Sequence, residues 1–144
     1  MRIACTIDIA APITDVFAFV SDPRNDPAWC PKVESVTAQG DGPAPGADYL
    51  VVHRPVPLRP AREMRYRLVD WDPPKAICWR EDDGHDRIAV GYHLQALGAD
   101  STRFTQTDDL ELGAPRLLHP LMRAGIRRDI THQLERLRDR LQRR

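Results

Sequence analysis

The stretch LLHPLMRAGIRRDITHQLERLRDRLQ, residues 117–142, decides the fold. Leu118, Met122, Ile126, Ile130, Leu134, Leu137 and Leu141 recur at intervals of four, four, four, four, three and four, which only a long helix turns into one apolar face. At about 1.5 Å per residue such a helix spans roughly 40 Å. Upstream the period changes. Residues 33–112 read as extended chain, in six segments at roughly 33–39, 47–54, 62–71, 76–81, 86–97 and 102–112. Turn signals separate them at Gly40-Asp41-Gly42-Pro43, Arg54 to Pro60, Asp72-Pro73-Pro74, Asp82-Asp83-Gly84 and Gly98-Ala99-Asp100. Connections this short make successive strands antiparallel neighbours. Further back, Ile3, Cys5, Ile7 and Ile9 alternate with polar or small residues, as in a strand with one buried face. Pro12 then opens a short helix carrying Val16, Phe17, Phe19 and Val20, which Ser21-Asp22-Pro23 stops. Three prolines and Trp29 between Asp22 and Pro31 predict a turn, a second short helix and an aromatic plug.

The order of elements predicts an α+β fold: a seven-stranded antiparallel sheet wrapped around a long C-terminal helix, with two short helices after strand 1. One helix is too narrow to cover a strongly curved seven-stranded sheet along its whole length. An apolar cavity between sheet and helix is the consequence of that shortfall.

The 144 residues read as one domain, 1–144, with 42% hydrophobic and 29% charged residues, enough to bury a core. No stretch approaches the roughly 18 apolar residues of a membrane span, and no signal-peptide core follows Met1, so a cytoplasmic protein is expected. Cys5, Cys30 and Cys78 are odd in number and lack CxxC spacing, which indicates reduced thiols rather than a disulfide framework or zinc ribbon. Net charge is zero, which argues against nucleic acid as a partner. Residues 116–144 nevertheless carry nine arginines against Asp129, Glu135 and Asp139. Without lysine runs or interleaved aromatics, they read as a solvated helix face more than as an anion-binding one.

Side-chain alternation assigns the cavity wall. Tyr49, Val51 and His53 share one parity in their strand, as do Met64, Tyr66 and Leu68, Ile77 and Trp79, and Ile88, Val90, Tyr92 and Leu94. In 102–112 the inward set is Phe104, Leu110 and Leu112, which carries Gln106 and Asp108 inward unless a bulge intervenes. The polar residues at inward parity are therefore His53, Tyr66, Tyr92, Gln106 and Asp108. A buried Asp108 would have a raised pKa and exchange protons near neutrality, and His53 could do the same. Tyr66, Tyr92 and Gln106 could polarise a carbonyl. The competing structural roles are an Asp108 that caps a bulge or pairs with arginine, a His53 at a solvated rim, and tyrosines that only fill the core. The pocket is expected to be lined by Tyr49, Tyr66, Trp79, Tyr92, Phe104 and Met122, with Pro55, Pro57 and Pro60 as a stiff lip. Gly125, costly inside a helix, either leaves room for a ligand or packs closely on a strand. His119 and His132 lie thirteen apart, and no HxxxH pair, phosphate loop or GxSxG elbow occurs. Cys30 and Cys78 would be reactive only with a stabilised thiolate.

Several of these stretches resemble the START / polyketide cyclase-dehydrase / Bet v 1-like (SRPBCC) superfamily. They are Ile9-Ala10-Ala11-Pro12 leading into Val16 to Pro23, Trp29 with Pro31-Lys32-Val33, Gly46 to Tyr49, Asp70-Trp71-Asp72-Pro73-Pro74, Tyr92-His93-Leu94 and Ser101-Thr102-Arg103-Phe104. Ser101 stands where a glycine is usual, and no proline ends the Tyr92 to Leu97 strand. The resemblance implies a helix-grip fold and a deep hydrophobic pocket. It extends over cyclases, carriers and receptors, and carries no universal catalytic triad. It does not imply one chemistry; the leading expectation is an enzyme resembling small cyclases or dehydrases, which closes or dehydrates a polyketide-like or aromatic substrate without a cofactor or metal, with Asp108 or His53, assigned by their inward parity, as acid/base. Tyr49, Tyr66, Trp79, Tyr92, Phe104, Gln106 and Met122 would then contact substrate. The alternative is a non-catalytic carrier of lipid or another hydrophobic small molecule. No integral membrane association is expected on either reading, and a homodimer is left open.

Overall fold

The computed structural model describes residues 1–40, 42–54 and 58–143. The strands are β1 (Arg2–Ile9), β2 (Val33–Ala38), β3 (Asp48–His53), β4 (Arg62–Asp72), β5 (Ala76–Asp82), β6 (Arg87–Gly98) and β7 (Ser101–Glu111). Their spatial order is β1-β7-β6-β5-β4-β3-β2, with every neighbouring pair antiparallel. Strands 2 to 7 thus form the meander that their short connections demand, and β1 adds beside β7. The two edges are β1 and β2.

Helix α1 (Ile13–Val20) and a 3₁₀ helix (Pro23–Ala28) join β1 to β2. Pro12 supplies an extended N-cap for α1, and the apolar spacing buries Val16, Phe17 and Val20. Pro23 and Pro27 deny the next segment regular α hydrogen bonding, so it winds as 3₁₀, capped by the Asp22 carboxylate on the Arg24 N–H. The long helix α2 (His119–Gln142) begins later than Pro115, behind a 3₁₀ turn at Arg116–Leu118 with Pro120 in its first turn. It buries Ile130, Leu134, Leu137 and Leu141.

Register breaks at Val33/Ser35 on β2, Leu68/Asp70 on β4 and Ala96/Gly98 on β6 mark where the sheet bends. Past the β4 break the buried parity changes, and Trp71 meets Phe17 of α1 edge-on at 5.3 Å. Strand β7 pairs with β1 without a break, so residues 102, 104, 106, 108 and 110 all point into the core.

The arginines of α2 act on an edge. Arg123 Nη2 donates to the Arg2 carbonyl at 2.7 Å and Arg127 Nη1 to that of Ala4 at 3.3 Å. These carbonyls lie on the open side of β1, where an uncovered strand invites pairing with another chain. A Cβ built on Gly125 meets nothing within 4 Å, so close packing against a strand is not what keeps this position small. Gly125→Ala should therefore raise stability by about 0.5–1 kcal/mol, as a higher melting temperature in a calorimetric scan.

Candidate functional site

A cavity of about 260 Å³ lies between the concave face of the sheet and α2. Strands β3 to β7 each send inward-facing side chains to it: His53 from β3, Met64 and Tyr66 from β4, Glu81 from β5, Ile88, Val90 and Tyr92 from β6, and Gln106, Asp108 and Leu110 from β7. Met122, Ile126, Asp129, Ile130 and Gln133 close it from α2, and Asp26, Cys30, Lys32 and Val33 from the 3₁₀ helix and the turn into β2. The cross-strand register explains the grouping. Tyr66 pairs with Glu81, Val90 with Asp108 and Tyr92 with Gln106, so the polar groups form a contiguous band.

Asp108 is buried, and desolvation raises its pKa to about 6 against the opposing hydrogen bond from Gln106. That bond runs from Gln106 Nε2 to Asp108 Oδ1 at 3.0 Å, while Gln133 Nε2 of α2 donates to Gln106 Oε1 at 3.2 Å. Gln106 is thus held from both ends, and the helix fixes the orientation of the amide beside the carboxyl. Burial and the nearby Lys32 hold His53 below its usual range, leaving the imidazole neutral at pH 7. Lys32 itself is paired with Asp129, an ion pair that ties the approach to β2 onto α2 at the rim. The Tyr66 and Tyr92 hydroxyls are pushed well above their ordinary range by burial and by the surrounding carboxyls.

Two carboxyls join this set that the alternation argument did not name. Glu81, half-buried, borders the cavity, and desolvation with Asp108 and Asp26 nearby raises its pKa well above the carboxylate range. Asp26, 5% exposed, is raised likewise by burial and Asp22, against a weaker pull from the Trp29 indole. A signal for Glu81 existed, since it continues the Ile77 and Trp79 parity by one step. Asp26 had none, because an irregular 3₁₀ segment has no alternation to read. Cys30 also lines the cavity, but burial and Asp26 push its thiol well above the usual range, which removes it as a nucleophile.

Of the expected wall residues, Tyr66, Tyr92, Gln106 and Met122 border the cavity together with Asp108 and His53, whereas Tyr49, Trp79 and Phe104 do not. These three are at most 2% exposed and lie beneath the wall in the packed core. Tyr49 packs on Trp79 at 5.9 Å, and Phe104 on Tyr92 and Trp29. The curvature of the sheet brings their ends together and fills that space with aromatic rings. Leu117 in the 3₁₀ turn and Leu121 in the first turn of α2 face solvent, at 94% and 75% exposure. Pro55 and Pro57 of the expected lip lie outside the described residues, and Pro60 is exposed. Among the described residues no three His, Cys, Asp or Glu side chains are placed to hold a metal ion, and no helix is long and apolar enough to cross a membrane.

A curved antiparallel sheet gripping a C-terminal helix over a lined cavity defines the helix-grip class of ligand-binding proteins. The chain belongs to the polyketide cyclase/dehydrase and lipid transport family, whose match spans residues 1–142. Solved structures agree with that fold. An aromatase/cyclase from a Streptomyces species superposes with a TM-score of 0.79 at 18% identity, covering 100% of this chain and 94% of the other. A START superfamily protein from Mycobacterium smegmatis gives 0.77 at 17% identity over 99% and 97% of the two chains. The di-domain aromatase/cyclase StfQ of steffimycin biosynthesis gives 0.74 at 18% identity, with 98% of this chain matching 45% of that one. No curated protein sequence matches the chain.

Proposed function

We propose that the protein is a small cyclase or dehydrase that holds a compact, largely apolar, carbonyl-bearing substrate in this cavity and promotes ring closure or loss of water. The observation that carries the reading is that Asp108, Gln106, Tyr66 and Tyr92 line one cavity, with Asp108 at a pKa of about 6. A carboxyl so tuned both accepts and returns a proton near neutrality, as enolisation and dehydration require of one group. In the proposed step the Asp108 carboxylate takes a proton from the carbon beside a substrate carbonyl. The resulting enolate oxygen is stabilised by the tyrosine hydroxyls and the Gln106 amide, whose orientation Gln133 fixes. The enolate carbon then attacks a second carbonyl of the same chain, whose oxygen takes the proton back from Asp108 as its π bond breaks, or the enolate expels a β-hydroxyl that leaves as water with that same proton. Confinement supplies the remainder by holding the reacting carbons together.

The volume limits the substrate. About 260 Å³ lies at the lower edge of ligand cavities, which run from roughly 300 to 1,000 Å³, so one or two rings fit better than an extended polyketide chain. His53 stands at the rim beside Lys32, and in this reading it contacts substrate without transferring the proton. Turnover of aromatic and short polyketide candidates by Asp108→Asn and His53→Gln tests the assignment. Loss confined to Asp108→Asn supports it. Equal turnover in both variants and the parent overturns it. Tight binding with no turnover by the parent on any ligand replaces it with a carrier.

A further inference from the structure

Of the described α2 residues that border the cavity, Met122, Ile126 and Ile130 are apolar, and Asp129 and Gln133 are polar. Asp129 is committed to Lys32 at the rim. Gln133, half-buried, is the polar group by which the helix reaches the sheet: its Nε2 donates at 3.2 Å to Oε1 of Gln106, which is 4% exposed. A glutamine amide donates from one end and accepts at the other, and the two ends have nearly the same shape. What lies at one end therefore decides which end is offered to the neighbour at the other. With Oε1 held by Gln133, the NH₂ group of Gln106 has to face Asp108, and it donates to Oδ1 at 3.0 Å. A donor in that place favours the ionised carboxylate. Without Gln133, the same amide is able to turn over and present its oxygen to the protonated acid, which favours the neutral form.

We infer that Gln133 is a positioning residue through which α2 sets the basicity of Asp108. It deepens the proposed function and rests on it, since the carboxyl concerned is the base of that reaction. Gln133 needs no contact with substrate, because it acts through Gln106, and a displacement of α2 that broke the bond between the two glutamines would change the proton affinity of the base. The other titratable groups that border the cavity are Asp26, Cys30 and Lys32 from the 3₁₀ helix and the turn into β2, His53 from β3, Tyr66 from β4, Glu81 from β5, Asp86 from the turn before β6, Tyr92 from β6 and Asp129 from α2. Asp109 lies next to Asp108 on β7. Among the described residues none of these hydrogen-bonds to Asp108, whereas Gln106 does. Their charges act on the parent and on glutamine variants alike.

NMR titration of the Asp108 carboxyl carbon in the full, isotope-labelled chain tests the inference and requires no substrate. The parent midpoint is expected at about 6. Gln133→Met keeps the length and helix propensity of glutamine while removing the donor. It should raise the midpoint by about 0.5–1 pH unit, the equivalent of one hydrogen bond. Gln106→Met should raise it at least as far. In the Gln106→Met background, adding Gln133→Met should move the midpoint by less than about 0.2 pH unit, because a residue that acts through another has nothing left to act on. Thermal unfolding verifies that each variant folds, and Gln133→Ala is the second donor-free variant. A substitution that only loosened the seating of α2 would shift both backgrounds equally, so equal shifts overturn the inference. An unchanged midpoint in Gln133→Met overturns it too, and leaves the acid/base reading standing when the parent titrates at about 6. A parent Asp108 that titrates at the ordinary aspartate value overturns that reading, and the positioning role with it.

Discussion

Asp108→Asn should lower turnover by about 10²–10⁴-fold while leaving substrate affinity within a few-fold, and should at the same time make the protein more stable. The two effects share one cause. Burial raises the Asp108 pKa from 3.8 to about 6, so the folded protein holds a proton that the unfolded chain releases earlier. An acid shifted in that direction contributes its full stability below pH 3.8, and the contribution is lost as pH rises through 6. At neutral pH the ionised carboxylate therefore costs the fold about 3 kcal/mol, since each tenfold gain in proton affinity is worth about 1.4 kcal/mol. Asparagine keeps the shape and the oxygen that accepts from Gln106 Nε2, and it has no charge to desolvate. Denaturant titrations should show the variant ahead of the parent at pH 7 and the two converging below pH 4. A variant that is less stable than the parent at pH 7 would mean that the Asp108 carboxylate is compensated in the fold, and its use as a base would lose its physical basis.

Trp29→Ala should cost about 3–5 kcal/mol, the range for removing a fully buried large aromatic side chain. Trp29 is 0% exposed and packs against Tyr92 at 5.9 Å and Phe104 at 6.4 Å, so its loss opens a hole under the polar band. For a chain of this size that corresponds to a melting temperature lower by about 10–17 °C. Trp29→Phe should be much milder, since the indole N–H pulls on Asp26 without reaching the geometry of a hydrogen bond and so leaves no orphaned partner behind. The site should feel both changes through Tyr92, whose ring leans on Trp29 and which borders the cavity. A calorimetric scan in which Trp29→Ala melts within two or three degrees of the parent would show that the aromatic cluster does not support the wall.

The amino-acid sequence by itself determined the periods, and through them the fold. Alternation in residues 2–9 and 62–71, the four-residue recurrence from Leu118 to Leu141 and the short turns between strands are local properties of the chain. They suffice to specify an antiparallel meander and a long helix. The inward parity of Gln106 and Asp108 was legible on the same ground, because β7 runs without a bulge from Thr102 to Leu110. Tertiary structure alone decided which inward side chains see a cavity and which are packed against one another. Tyr49, Trp79 and Phe104 share the parity of Tyr66 and Tyr92, yet all three are buried in solid core, Tyr49 against Trp79 and Phe104 against the inserted Trp29. Asp26 arrives from a segment without period, placed by the packing of a 3₁₀ helix and not by alternation. The grip of Gln133 on Gln106 joins residues on elements that have no sequence relation. Local geometry follows from the order of residues along the chain, whereas the polarity of a pocket follows from which elements meet, and that is set by the global balance of packing.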